Sequence, residues 1–224
     1  MKFNIANTAR LCAFSVFSAV IVAATCIARS EDASPVWGEQ FKPRLANGPE
    51  ASATPKRADR VTYTLIRAEN PTDEQKAAYE QITASMDRAV KFYNEYTTKV
   101  EKRITANYSP GTPTADGSYN GNIRIGKSAN NARVCMHEVC HTVGVGTSPE
   151  WGKLVVDGIF TGKKATARIR EITGDKNAVI HADRMHFWPF GLNYDNEVKS
   201  DQDLINHCKV VEAIVEDLHD AAKH

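Results

Sequence analysis

Residues 136–147 read M-H-E-V-C-H-T-V-G-V-G-T. On a helix, His137 and His141 stand one turn apart on one face, so both imidazoles reach the same ion. Glu138 lies one step round from His137, placed to meet a water on that ion without ligating it. Such an ion lowers the pKa of its water toward 7, and a carboxylate beside it accepts the proton and hands it to a leaving group. Neutral imidazole is also the commonest metal ligand near that pH. The competing reading is a surface helix with two ordinary histidines. Asn131 is predicted to cap the motif helix, over 132–143, and Gly144 to end it.

Working upstream, 61–67 (V-T-Y-T-L-I-R) alternates and is rich in β-formers, which predicts a strand. Thr72 and Gln75 then form a capping-box pattern with acidic residues in the first turn. Tyr79, Ile82, Met86, Ala89, Val90, Tyr93, Val100 and Ile104 follow at helical spacing, predicting one long helix over 72–104. Residues 105–121 are dense in turn formers. Residues 122–126 (N-I-R-I-G) alternate and are expected to form an edge strand. Downstream, 165–173 reads as a short helix closed by Gly174. Residues 181–194 read as an aromatic loop, and 201–222 as an amphipathic helix. The fold class is therefore α+β. A small mixed sheet is backed by the long helix and the motif helix, and a mainly helical C-terminal part follows.

Composition narrows the function classes. The chain has 224 residues, with 28 Lys+Arg against 27 Asp+Glu. That balance offers no global field for nucleic acid or an anionic membrane surface. Lys2 and Arg10 precede an apolar run too short for a membrane span, which needs about 20 residues. Residues 1–28 are accordingly read as a signal peptide and the chain as secreted or periplasmic, with no stable span after processing. Cys26 raises lipid attachment, although Ala23 and Thr25 fit that signal poorly. Residues 29–60 read as a linker or pro-segment, and 61–224 as one domain. Export permits a disulfide, either Cys135–Cys208 or Cys140–Cys208. The alternative is that all three cysteines are small buried apolar residues.

His137-Glu138-Val-Cys-His141-Thr-Val-Gly144 resembles the active-site helix of the zincin metallopeptidases, and H-E-x-x-H-x-x-G is similar to the start of the metzincin motif. In that family the residue three beyond the glycine is the third ligand; here it is Thr147, so that carry-over fails. The longer phrase, with H-F-W-P-F-G-L-N-Y downstream, resembles a group of secreted bacterial zincin-like proteins. The resemblance implies a zincin-type fold and a zinc (Zn2+) peptidase acting on protein or peptide, with Glu138 as general base. His186 is the first choice for the third ligand, His181 the second and Glu171 the third; Asp157 and Glu150 are weaker. Tyr194 is expected either to reach the metal or a substrate oxyanion, as a tyrosine does in some zincins, or to be buried with its hydroxyl satisfied. Trp151, Phe187, Trp188 and Phe190 either line a subsite or complete the core. His207 and Cys208 are read as structural. Two rivals stand beside the peptidase reading. One is a zinc hydrolase of glycan, glycopeptide or cell wall; the other is a zinc-stabilised binding module without turnover.

Overall fold

The structure, a computed structural model, describes residues 59–128 and 131–223. The signal-peptide and lipid-attachment readings, and nearly all of the 29–60 segment, lie outside these residues.

Strand β1 (Val61–Ile66), helix α1 (Asp73–Tyr96) and strand β2 (Lys102–Tyr108) make a parallel β-α-β unit. The capping box forms: the Thr72 side chain accepts from the Gln75 amide and the Gln75 side chain accepts from the Thr72 amide. Satisfying those two donors is worth about 1 kcal/mol. Ile82, Met86, Ala89 and Tyr93 are fully buried along one face of α1, each large apolar member contributing about 1.5–3 kcal/mol.

The helix stops at Tyr96, short of the predicted 104. Thr97 leaves the helix at φ −126° and its hydroxyl bonds the Tyr93 carbonyl at 2.6 Å. Val100 and Ile104 are buried as expected, but Ile104 is in strand β2, where Ile104 and Ala106 alternate inward. A spacing of four residues fits one helical turn and two strand dyads equally, so periodicity alone could not place the boundary.

After a turn come β3 (Ala115–Gly117) and β4 (Asn122–Ile125). The first sheet is small and mixed, in the order β1-β2-β4-β3, with β3 alone antiparallel. This corrects one expectation. Asn122–Ile125 is an interior strand paired on both sides, and the edge on that side of the sheet is β3, inside the segment read as turns. Asp116 and Arg124 lie directly opposite across that pair and form a two-bond ion pair.

Helix α2 (Ala132–Thr142) packs between α1 and strands β3 and β4. Beyond it come α3 (Trp151–Leu154), β5 (Val155–Val156), β6 (Ile159–Phe160), α4 (Lys163–Thr173), β7 (Ile180–Ala182), β8 (Phe187–Trp188) and α5 (Asp201–Ala221). The short strands β5–β8 make a second, antiparallel sheet, so the C-terminal part is less helical than expected. Strands of two or three residues carry too little alternation to be read from sequence. One buried cluster runs from Val61 on β1 to Leu218 on α5. Cys135, Cys140 and Cys208 lie inside it as free thiols, so neither candidate disulfide forms. Among the described residues no helix is long and apolar enough to cross a membrane.

Candidate metal centre

Helix α2 begins as predicted, with the Asn131 side chain accepting from the Val134 amide at 3.0 Å. It ends where Gly144 (φ +115°) turns the chain back. That turn aims the Val145 carbonyl at His141, whose Nδ1 lies 2.8 Å from it. Thr147, at the metzincin ligand position, bonds the His141 carbonyl with its hydroxyl instead.

His137 and His141 present their Nε2 atoms to each other at 3.1 Å. This contact is not an ordinary hydrogen bond. His137 Nδ1 lies 2.8 Å from the Gly191 carbonyl, and a carbonyl only accepts, so both Nδ1 atoms carry hydrogen and donate. Burial lowers the pKa of both rings, that of His137 to about 3. Both are therefore neutral at physiological pH, and two lone pairs face one another. A cation between them removes the repulsion. Two nitrogens on tetrahedral zinc stand about 3.3 Å apart, given Zn–N bonds of about 2.0–2.1 Å, close to what the helix provides.

The third member is His186. A ligand atom from each of His137, His141 and His186 lies within 4.8 Å of the others. The His186 ring is half-stacked over His137, with centroids 5.5 Å apart and planes 20° from parallel. Its Nδ1 faces the Asp183 carboxylate at 3.3 and 3.4 Å, leaving Nε2 for an ion. Each of the three imidazoles thus has its Nδ1 committed to an oxygen, the arrangement that orients metal-binding histidines. The donor set fits a divalent ion.

Asp183 was not anticipated. Its Oδ1 also accepts from the amides of Met185 and His186 at 2.7 and 2.6 Å, closing the tight turn that presents His186. The Trp151 indole donates to the Asp183 carbonyl at 3.0 Å and pins that turn to the core. The legible signal was the D-R-M-H spacing, a carboxylate three residues before a histidine. The carbonyls of Val145 and Gly191 had no signal, since any residue supplies one.

The other ligand candidates are elsewhere. His181 is exposed on β7, paired with Ile159 and Trp188. Glu171 is exposed on α4 and bonded to Arg168 at 2.9 Å. Asp157 sits in the β5–β6 turn and Glu150 directly precedes α3.

Glu138 is 5 % exposed. Burial, then the nearby Asp116 charge, pushes its carboxyl up to about 8, against a hydrogen bond from the Gly117 backbone amide. A divalent cation beside it acts in the opposite sense and favours the carboxylate. Strand β3 approaches α2 so closely that a Cβ at Gly117 would stand 2.3 Å from the Glu138 carbonyl oxygen.

These groups open into a cleft of about 680 Å³, walled by Thr114–Gly117 on one side and by Asp183, His186, Trp188, Asn193 and Tyr194 on the other. Arg133, one turn before His137, also lines the cleft and bonds Asp195 and the Leu192 carbonyl at 2.7 and 2.6 Å. Tyr194 is 64 % exposed on the rim, so the buried-tyrosine alternative does not hold. Of the aromatic group, Trp151 and Phe187 are core, Phe190 packs against it, and Trp188 faces the cleft. The chain matches no family model, no curated protein and no solved structure.

Proposed function

We propose that the protein is a zinc-dependent hydrolase of zincin type, acting as a metallopeptidase, with His137, His141 and His186 as ligands and Glu138 as general base. The observation that carries this reading is the facing pair of neutral Nε2 lone pairs on α2, joined by a third oriented imidazole and flanked by a buried carboxyl. Three nitrogen donors beside an open cleft suit catalytic zinc better than magnesium or calcium, which take oxygen ligands. Zinc, when bound, supplies a Lewis acid and lowers the pKa of its water to about 7. The Glu138 carboxylate accepts the proton and returns it to the leaving amine. Strand β3 has no further strand on its outer side among the described residues, and its backbone offers main-chain pairing to an extended peptide across the cleft. The export reading rests on residues 1–28 and joins this proposal as a secreted or periplasmic location.

A second reading keeps the metal and changes the substrate to glycan or cell wall. Its support is Trp188 and the exposed Tyr194 on the cleft wall, surfaces on which a sugar ring can stack. The test is incubation of zinc-loaded protein with casein and with purified cell wall. Glu138→Gln is expected to keep zinc and lose hydrolysis by about 100-fold or more. Digestion of the wall alone would replace the peptidase reading. Unchanged hydrolysis by Glu138→Gln would remove the general-base assignment. A binding module without turnover has no use for Glu138, whose burial is costly.

A further inference from the structure

We infer that His207 is a positioning residue for the metal centre: through the Phe190 carbonyl it fixes the loop that carries His186 and orients His137. This inference rests on the metal reading above.

His207 lies on α5 and is completely buried. Its Nδ1 stands 2.7 Å from the Phe190 carbonyl oxygen, so that nitrogen carries the hydrogen. Nε2 then carries no hydrogen. It lies 2.9 Å from the Tyr93 hydroxyl and 3.3 Å from the Met136 carbonyl, and these two acceptors share the single hydroxyl hydrogen. The same hydroxyl lies 3.1 Å from the Met136 carbonyl, in the residue before His137. Phe187, the residue after His186, stacks against the His207 ring with centroids 6.0 Å apart and planes 15° from parallel. One imidazole therefore touches the chain neighbours of the first and third ligands.

The loop requires such a fixed point. Phe190 and Leu192 have φ of 67° and 60°, a left-handed conformation that bulky residues adopt only where the surroundings over-determine it. Gly191 lies between them, and its carbonyl is the one that takes the His137 Nδ1 hydrogen at 2.8 Å. If Phe190 relaxes to an ordinary φ, that carbonyl turns away from His137 and the tautomer lock opens. An apolar residue at 207 would fill the core but leave the Phe190 oxygen without its donor.

The test compares His207→Asn with His207→Gln in the full chain. An asparagine amide can place its nitrogen near the position of Nδ1; a glutamine amide reaches instead toward Nε2. Zinc affinity is measured by competition with a chelating dye, metal-free thermal midpoints in parallel, and ligand geometry from the visible spectrum of the Co2+ form. Both variants lose ring packing, so both are expected to lower the midpoint. His207→Gln is expected to weaken zinc by about 10–100-fold and to shift the Co2+ spectrum, while His207→Asn stays close to wild type. Parallel loss of zinc in both variants, or unchanged affinity in His207→Gln, would overturn the inference. If neither variant folds, Tyr93→Phe decides it. That change removes the hydroxyl that joins the buried face of His207 to the Met136 carbonyl ahead of His137 and frees the ring to turn from the Phe190 oxygen, and unchanged zinc affinity with an unchanged Co2+ spectrum would overturn the role. A wild-type protein that takes up no zinc overturns the metal reading itself and this inference with it.

Discussion

Gly146→Ala should displace His186, the third imidazole of the candidate metal centre, without altering any of the three histidines. Gly146 has φ +69°, and a Cβ there would lie 2.1 Å from the Met185 carbonyl oxygen and 2.6 Å from the Met185 carbonyl carbon and Cα. All three obstacles are backbone atoms, so no side chain can swing aside. Relief requires the two segments to part by about 1 Å, since non-bonded heavy atoms settle near 3.5 Å. The left-handed conformation adds about 1–2 kcal/mol for a residue with a Cβ. Met185 directly precedes His186, and metal–ligand distances tolerate only about 0.2 Å. The displacement therefore carries His186 out of bonding range. Zinc affinity is expected to fall by about 100-fold or more, at or beyond the upper end of what a lost orienting partner costs. Metal-free stability is expected to fall by about 1–3 kcal/mol. Chelator competition and urea denaturation of the metal-free protein read the two effects. Gly152→Ala is the control: nothing lies within 4 Å of its Cβ, and an alanine in helix α3 is expected to leave zinc binding unchanged. Wild-type zinc affinity in Gly146→Ala would refute the argument that this close approach sets the position of His186.

Asp183→Ala removes both the turn acceptor and the Nδ1 partner of His186, and is expected to weaken zinc by about 10–100-fold; unchanged affinity in a chelator titration would show that His186 is held by packing alone. A pH dependence follows from His207, whose imidazole burial pushes down to about 4. The unfolded chain takes up that proton near pH 6.5. Between those values the unfolded state binds the extra proton, so stability falls as pH drops from about 6.5 to about 4 and this contribution is flat below. The slope is about 1.4 kcal/mol per pH unit, or about 3 kcal/mol over the window. His207→Asn should flatten the metal-free denaturation series by one proton across that range, and an unaltered slope would contradict the assignment.

The core of the candidate site was legible because its geometry is local. Four residues of spacing put His137 and His141 on one face of any helix, and Asn131 and Gly144 mark the ends of that helix within its own sequence. The capped start of α1 and the left-handed stop of α4 at Gly174 were readable for the same reason. Where local signals were degenerate, the reading slipped. Val100 and Ile104 fitted a helix and a strand alike, and the edge strand β3 carries Gly117, a residue that argues against a strand until the backbone of α2 lies against it.

By itself, then, the sequence determined the pair of facing imidazoles, the carboxyl beside them and the α+β class, since each follows from the spacing of residues along one element. Only the tertiary structure decided that His186 rather than His181 or Glu171 joins the pair. It also decided that the oxygens of Gly191, Val145 and Asp183 orient the three rings. His186 stands 45 residues from His141 in the sequence, and the carbonyls are common to every residue. What selects them is the packing of the 183–191 loop against α2 and α5, a contact between distant segments that no periodicity along the chain records.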